Sequence, residues 1–176
     1  MKTPNISLPP PVRFTLIELL VTIGVIAILA GMIFPAFAKA RATAKRASCA
    51  SNLHGIGTAF KMYLGDYKDY LPPAAMMRSV TPDSPVITDM LEGYIPSSKI
   101  MLCPSDVSDS YFNNEGTSYE YYNISLLGEP LHFTPPVVQA GESKISIMYD
   151  FEPFHGKKGN SGSRNYLFLD GHVGDN

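Results

Sequence analysis

The chain has 176 residues, of which 45% are hydrophobic, and a formal net charge of -2. A chain of this length has room for one ordinary domain and an appendage, which argues against a two-domain enzyme. The charge argues against nucleic acid as a partner, because phosphate binding needs lysines and arginines clustered across a face. The 15 prolines and 14 glycines predict many turns and long loops.

A short leader at 1–13 precedes an apolar segment at 14–34, in which Glu18 is the only charged residue. A helix of 21 residues covers roughly 31 Å, the thickness of a bilayer's hydrocarbon core. A secretory signal peptide is the nearest competing interpretation, but its apolar region is only about 7–15 residues long. The segment therefore predicts a helix that spans a membrane.

Glu18 places a carboxylate in this apolar helix. On membrane-insertion scales such a charge costs roughly 2.5–3.5 kcal/mol, and it persists only with a partner. The segment contains no basic residue to neutralise it, so we expect a positive group on another subunit. The alternative is that Glu18, four residues after Phe14, extends to the membrane interface.

Pro35 is expected to kink or locally melt the helix, because it lacks an N–H and its ring clashes with the preceding turn. Beyond it, residues 36–70 are rich in alanine and basic residues, which favour helix. The basic run is typical of a membrane flank. Its members are Lys39, Arg41, Lys45 and Arg46.

The second half of this helix carries one apolar stripe. Its members recur at steps of three and four residues and are Leu53, Ile56, Phe60, Tyr63 and Tyr67. This spacing predicts that one helix face packs on a core. Gly55, Gly57 and Gly65 weaken the helix, and the prolines at 72–73 end it.

Residues 71–176 are predicted to form a loop-rich outer domain, because prolines interrupt any long element in its first part. A short helix is expected at 86–94. Strand-like segments follow at 118–127, 144–151 and 165–169. They predict a small antiparallel sheet, which needs a cover on one face. The apolar stripe is the obvious cover, and the result is an α+β fold.

The junction of leader and helix reads Phe14-Thr15-Leu16-Ile17-Glu18-Leu19-Leu20. It resembles the processing signal of type IV pilins and of type II secretion pseudopilins. The resemblance implies that a prepilin peptidase cuts between Arg13 and Phe14 and that the new amine of Phe14 is methylated. It also implies that Glu18 pairs with the N-terminal amine of a neighbouring subunit. Pro35 matches the proline of the family's helix.

The resemblance implies a type IV pilin-like fold, in which a long N-terminal helix packs on a small C-terminal antiparallel sheet with long loops. The implied parts are the leader, the membrane and assembly half of the helix, its amphipathic half and a periplasmic β domain, at 1–13, 14–35, 36–70 and 71–176. The tail also resembles a bacterial pilin-like group that ends in Asn-x-x-Phe-x-Asp-Gly-His-Val. Here that motif occupies 165–173 and follows His155.

The implied function is a structural subunit of a pilus or a type II secretion pseudopilus, with no cofactor. Such a subunit is a single-pass protein of the bacterial inner membrane, with a cytoplasmic N-terminus and a periplasmic C-terminal domain. Its expected partners are membrane lipid, the prepilin peptidase, the inner-membrane assembly machinery and copies of itself or other pilin-like subunits. Arg13 supports an alternative, because the family has glycine or sometimes alanine before the cut. The alternative is an unprocessed, monomeric membrane tether whose outer domain binds a ligand or a protein.

The sequence does not decide the chemistry of two sets of residues. Cys49 and Cys103 are compatible with one disulfide and equally with two buried thiols. Six side chains near the C-terminus are candidates for a calcium site, by analogy with the major pseudopilins and because calcium takes six to eight oxygen ligands. They are Asp150, Glu152, His155, Asp170, His172 and Asp175. The competing interpretation is that Asp170-Gly171 is a turn and that the acidic residues are merely solvated.

No catalytic residue is predicted, and we expect that the protein is not an enzyme. None of the serines or cysteines lies in a nucleophile-elbow or similar signature. The histidines also lie in no catalytic motif. They are His54, His132, His155 and His172.

Overall fold

The structure is a computed structural model that describes residues 14–68, 70–122 and 142–175. The predicted leader, including Arg13, lies outside the described residues. The chain divides into two compact units, one ending at Ala40 and the other beginning at Arg41. The sequence-based division at residue 35 lies in the same stretch of helix.

A single long helix, α1, occupies Leu16–Asp66. It includes Pro35 without interruption, so the helix does not melt at that residue. The predicted end at the prolines 72–73 is too late. Helical structure stops at Asp66, and Lys68 has a φ of 53°, the left-handed backbone that commonly terminates helices.

Four short strands form one antiparallel sheet in the order β1-β2-β3-β4. They are β1 (Tyr119–Tyr121), β2 (Ser146–Asp150), β3 (Tyr166–Phe168) and β4 (Val173–Gly174). The first three lie within the predicted segments, which confirms the small antiparallel sheet and the α+β layout. Residues 123–127 of the first segment lie outside the described residues. β4 was missed because two residues are too few to show an alternating pattern.

Short helices and turns connect α1 to the sheet. Helix α2 (Ile87–Leu91) is shorter at both ends than the predicted helix at 86–94. Helix α3 (Ser110–Glu115) was not predicted, because it is too short to show apolar periodicity. The amides at its start donate to the buried carboxylate of Asp106. Among the described residues, 3-10 helices lie at Ser98–Met101, Val107–Asp109 and Glu142–Lys144.

The apolar stripe of α1 is confirmed at four of its five positions. These four side chains are buried in one core with the sheet, and they are Leu53, Ile56, Phe60 and Tyr63. Fully burying a side chain of this size stabilises the fold by about 1.5–3 kcal/mol. The prediction that the fifth side chain, Tyr67, packs on the core was wrong. Tyr67 is 51% exposed because it lies one residue beyond the end of α1, and its ring stacks on Tyr63 with centroids 4.2 Å apart.

Gly57 allows α1 to approach the sheet closely. A Cβ at this position would lie 2.8 Å from Cδ1 of Leu167 on β3, which is nearer than two carbon atoms pack. Leu167 is fully buried, so it has little room to move away. The sequence indicated only that this glycine weakens the helix. The close packing that it allows depends on Leu167, a residue more than 100 positions away in the chain.

A disulfide joins Cys49 on α1 to Cys103 in the loop before α3. The two residues are separated by 54 positions, their Cα atoms are 5.0 Å apart, and both are fully buried. In the chain-entropy model, closing a loop of this length stabilises the folded state by about 4 kcal/mol at 25 °C. The bond therefore fixes the loop region against the helix.

Candidate functional site

The apolar segment of α1 exposes almost all of its side chains. Between residues 14 and 37, fifteen large apolar side chains are each more than half exposed. The helix is long and apolar enough to span a membrane, and none of its most apolar 18-residue window is buried. Soluble monomers rarely expose contiguous apolar patches above a few hundred Å². Lipid or other protein is therefore the favourable cover for this surface.

Glu18 is hydrogen-bonded to Thr15, the residue just before the start of α1. Its Oε2 accepts from the Thr15 backbone N–H at 2.8 Å and from the Thr15 hydroxyl at 2.6 Å. The Glu18 N–H donates in return to Thr15 Oγ1 at 3.3 Å. This arrangement is a capping box, which satisfies two of the N–H groups left unpaired at a helix start. Sequence reasoning overlooked it, although Thr-x-x-Glu before an apolar run is its signature.

The capping box changes the energetic argument for Glu18. The sequence predicted that this carboxylate either pairs with a positive group on another subunit or extends to the membrane interface. Two neutral donors now satisfy Oε2, but they leave the negative charge in place. No donor reaches Oε1 among residues 14–68, 70–122 and 142–175. Within the described part of the chain, one carboxylate oxygen therefore remains available to a cation.

The other residues of the predicted processing and assembly signal lie at the two ends of this segment. Phe14 is 74% exposed, and Pro35 lies inside α1. Arg13 lies outside the described residues. Cleavage between Arg13 and Phe14 and methylation of Phe14 stay predictions.

The tail motif at 165–173 folds as a hairpin whose turn contains Asp170 and Gly171. Gly171 has a φ of 87°, a left-handed conformation that favours glycine, which confirms the turn interpretation. The Asp170 carboxylate accepts from the His172 backbone N–H at 3.0 Å, and His172 Nδ1 lies 2.6 Å from the same oxygen. The backbone hydrogen bond from His172 holds the pKa of Asp170 below its usual value.

This hairpin turn contacts α1 through backbone carbonyl groups. The Lys61 ammonium donates to the carbonyl oxygen of Asp170. His54 Nδ1 lies 3.2 Å from the carbonyl oxygen of Gly171. Gly57 lies between these two side chains along the helix, and a Cβ there would be 3.6 Å from Gly171 Cα. The Asp-Gly-His sequence thus anchors the end of the sheet to the helix.

A group of polar side chains, most of them buried, lies beside the disulfide. Asp150, the last residue of β2, is fully buried. Its Oδ2 accepts from the Asn165 backbone N–H at 2.7 Å and from the Asn165 side-chain amide at 3.0 Å. The Asn165 side-chain oxygen accepts in turn from Arg46 Nε at 3.3 Å. The chain of contacts connects α1 to the centre of the sheet.

His155 completes this group. Its side chain is 2% exposed, and its Nε2 lies 3.3 Å from Asp150 Oδ2 and 3.7 Å from Cys103 Sγ. Asp150 Oδ1 is buried without a hydrogen-bond partner among the described residues. Leaving a buried acceptor unsatisfied costs about 1–3 kcal/mol, and more when it is charged. We call the following set the Asp150 cluster: Arg46, Cys49, Cys103, Asp150, His155 and Asn165.

A cleft of about 530 Å³ borders the Asp150 cluster. Lys45 and Arg46 line it on the helix side, and Ser105 and His155 line it on the loop side. Two basic side chains at its wall favour anionic or metal-chelating solutes over free cations. The cleft also gives solvent a route to the edge of the cluster.

The structure divides the six candidate calcium ligands among separate contacts. Asp150 and His155 meet in the Asp150 cluster, 3.3 Å apart. Asp170 and His172 pair in the hairpin turn, 2.6 Å apart. These are two pairs, each already engaged by hydrogen bonds.

The remaining two candidates contact other partners. Glu152 accepts a hydrogen bond from the Tyr111 hydroxyl at 3.2 Å. Asp175 faces Arg46 at 3.5 Å, an exposed ion pair of a kind worth at most about 1 kcal/mol. The calcium site stays a prediction.

Two members of the Asp150 cluster were not predicted as site residues. Asn165 stands in the tail motif, but its role depends on the pairing of β2 with β3, which brings it beside Asp150. Arg46 was assigned to a membrane flank, whereas the structure directs its guanidinium to Asn165 and Asp175. No protein-family model matches this chain, and no similar curated protein or solved structure was found.

Proposed function

We propose that the chain is a membrane-anchored, pilin-like assembly subunit of a pilus or pseudopilus. The observation that carries this proposal is the largely exposed apolar segment of α1, which holds a single carboxylate, Glu18. Before assembly, lipid covers that surface. After assembly, the corresponding helices of neighbouring subunits cover it.

Glu18 selects the packing position of each subunit in this proposal. A prepilin peptidase cuts between Arg13 and Phe14, and the freed, methylated amine of Phe14 carries a positive charge. Two opposite charges about 4 Å apart attract by about 4 kcal/mol at an effective dielectric constant of 20. That attraction is comparable with the roughly 2.5–3.5 kcal/mol cost of placing the carboxylate in hydrocarbon. Pairing with a neighbour's amine at Oε1 therefore offsets the cost while Thr15 keeps its bonds to Oε2.

The proposal places the outer domain in the bacterial periplasm and the leader in the cytoplasm. The buried Cys49–Cys103 disulfide supports an oxidising compartment for that domain. The proposed partners are membrane lipid, the prepilin peptidase, the inner-membrane assembly machinery and other pilin-like subunits. No step of this function needs a cofactor.

Two substitutions separate the charge of Glu18 from its capping role. Glu18→Gln removes the charge but keeps a side chain that caps the helix, since glutamine also serves in a capping box. Thr15→Ala removes the cap and keeps the charge. Filament or pseudopilus incorporation is measured by cross-linking subunits in the membrane. Glu18→Gln is expected to abolish incorporation, and Thr15→Ala is expected to retain most of it. Normal incorporation of Glu18→Gln contradicts the pairing with a neighbour's amine.

A monomeric membrane tether is the second candidate function. The capping box favours it, because Thr15 satisfies one oxygen of Glu18 without any second chain. Mass spectrometry of the N-terminus of the membrane-extracted protein separates the two candidates. A methylated Phe14 is expected for the assembly subunit, whereas an intact leader ending in Arg13 is the result for the tether.

A further inference from the structure

One group of four potential metal ligands converges in the part of the chain that the structure describes. Its members come from α1, the loop before α3, the end of β2 and the loop after β2, and they are Cys49, Cys103, Asp150 and His155. One ligand atom from each lies within 4.8 Å of all the others. The two cysteines and the aspartate are fully buried, and the histidine side chain is 2% exposed.

The oxidised form of this group uses only part of its ligand capacity. The two sulfur atoms are bonded to each other, and a disulfide sulfur is not the thiolate that binds metals. His155 Nε2 lies between Cys103 Sγ at 3.7 Å and Asp150 Oδ2 at 3.3 Å. Asp150 Oδ1 has no hydrogen-bond partner among the described residues. A buried carboxylate oxygen without a donor requires an explanation, and an ion is one of the usual ones.

We propose that reduction of the Cys49–Cys103 disulfide converts these four residues into a Zn²⁺ site. A thiol reductant supplies two electrons, the S–S bond breaks, two cysteine thiols form and the reductant becomes a disulfide. Zn²⁺ then displaces one proton from each thiol. The product is a four-coordinate complex with two thiolates, one imidazole and one carboxylate.

The chemistry of this ligand set selects zinc over calcium. Zinc takes four ligands in tetrahedral geometry and prefers sulfur and nitrogen, whereas calcium takes six to eight oxygens. The hydrogen bonds that orient Asp150 are already in place, because Asn165 donates two hydrogen bonds to Asp150 and receives one from Arg46. Hydrogen bonds to a metal ligand from neighbouring side chains hold that ligand in position. The cleft that His155 and Arg46 line provides an entry path, and because its wall is basic, zinc is expected to enter as an anionic complex rather than as the free ion.

The test uses the full chain in detergent micelles, with Co²⁺ as a spectroscopic substitute for Zn²⁺. A phosphine reductant opens the disulfide. The reduced chain is expected to bind one Co²⁺ with thiolate-to-metal charge-transfer absorption, and the oxidised chain is expected to show none. Cys49→Ser and Cys103→Ser are each expected to lose that absorption. An equal signal in the oxidised chain, or no thiolate signal in the reduced chain, overturns the proposal.

His155→Ala and His172→Ala form a matched pair for the histidine. Loss of an outer-shell partner alone weakens metal binding by about 10–100-fold, so His155→Ala is expected to weaken it at least as much. His172→Ala removes an imidazole that pairs with Asp170 outside the group, and it is expected to leave the affinity unchanged. Equal affinities in the two variants overturn the role of His155.

A second measurement tests whether the reduced chain binds the metal in its folded state. Zn²⁺ is added to the reduced chain, and thermal unfolding is followed by circular dichroism. A folded-state site raises the unfolding temperature with metal concentration, and His155→Ala is expected to lose that rise. If Zn²⁺ leaves the unfolding temperature of the reduced chain unchanged, the proposed site does not exist.

Discussion

The two parts of α1 share one helix but differ in what covers their apolar side chains. From 14 to 37, large apolar side chains are exposed on every side of the helix. Beyond Arg41, the apolar side chains occupy one stripe, and the core buries Leu53, Ile56 and Phe60. Apolar content alone therefore does not predict burial within a chain. The distribution of apolar side chains around the helix decides whether the chain's own core or an outside medium covers them.

The largest contrast is expected between two leucine-to-alanine substitutions. Leu53 is fully buried and Leu20 is 65% exposed. Leu53→Ala is expected to lower the free energy of unfolding by about 2–5 kcal/mol through lost burial and a cavity. Leu20→Ala is expected to change it by less than about 0.5 kcal/mol.

Urea unfolding of the full chain in detergent measures both variants. The chain has no tryptophan, so near-ultraviolet circular dichroism of the buried tyrosines reports on the core. If Leu20→Ala lowers the free energy of unfolding as much as Leu53→Ala does, then the first part of α1 is also covered by the chain's own core, which contradicts this division of α1.

An arginine in each part of α1 tests the medium around it. Ile26→Arg places a charge in the middle of the exposed apolar segment and is expected to cost roughly 2.5–3.5 kcal/mol on membrane insertion. Met62 is 49% exposed on the second part, and Met62→Arg is expected to have no effect on insertion. The fraction of protein that resists carbonate extraction from membranes measures the difference. Equal retention of the two variants contradicts a membrane-spanning role for the first part.

Gly57 tests how tightly the second part packs on the sheet. Gly57→Ala gains helix propensity of about 1 kcal/mol, but overpacking a core costs about 1–3 kcal/mol. A net loss of about 1 kcal/mol is therefore expected. Gly65→Ala is the control, because a Cβ there meets nothing within 4 Å, and it is expected to stabilise the protein by up to about 1 kcal/mol. Stabilisation by both alanines would show that α1 does not approach Leu167 so closely.

The smallest expected effect concerns the pH dependence of the hairpin turn. The His172 backbone N–H lowers the pKa of Asp170 in the folded state. A lowered folded-state pKa contributes stability above the unfolded-state pKa of about 3.9, and that stability is lost as pH falls through the folded-state value. Carbon NMR of the Asp170 carboxyl group is expected to show titration below its ordinary pKa. Titration at the ordinary value contradicts the turn geometry.

Local patterns were sufficient for the elements whose signals lie within a few residues. The apolar segment, the stripe from Leu53 to Tyr63 and the Asp170-Gly171 turn are all readable from adjacent positions. The Thr15–Glu18 capping box also lies within a few adjacent residues, so the sequence could have predicted it, but it was overlooked. Tyr67 was misassigned because the helix end was placed too late, and the end depends on backbone conformation at Lys68.

Contacts between distant segments of the chain decided the features that local patterns could not predict. The long apolar helix, its amphipathic continuation and the small antiparallel sheet were predictable from the sequence, because they follow from the period of apolar side chains and from the thickness of a bilayer's hydrocarbon core. Folding brings one ligand atom from each of Cys49, Cys103, Asp150 and His155 within 4.8 Å of the others. These residues come from separate elements, and no spacing in the chain encodes their meeting point. Strand pairing and the packing of α1 on the sheet set it.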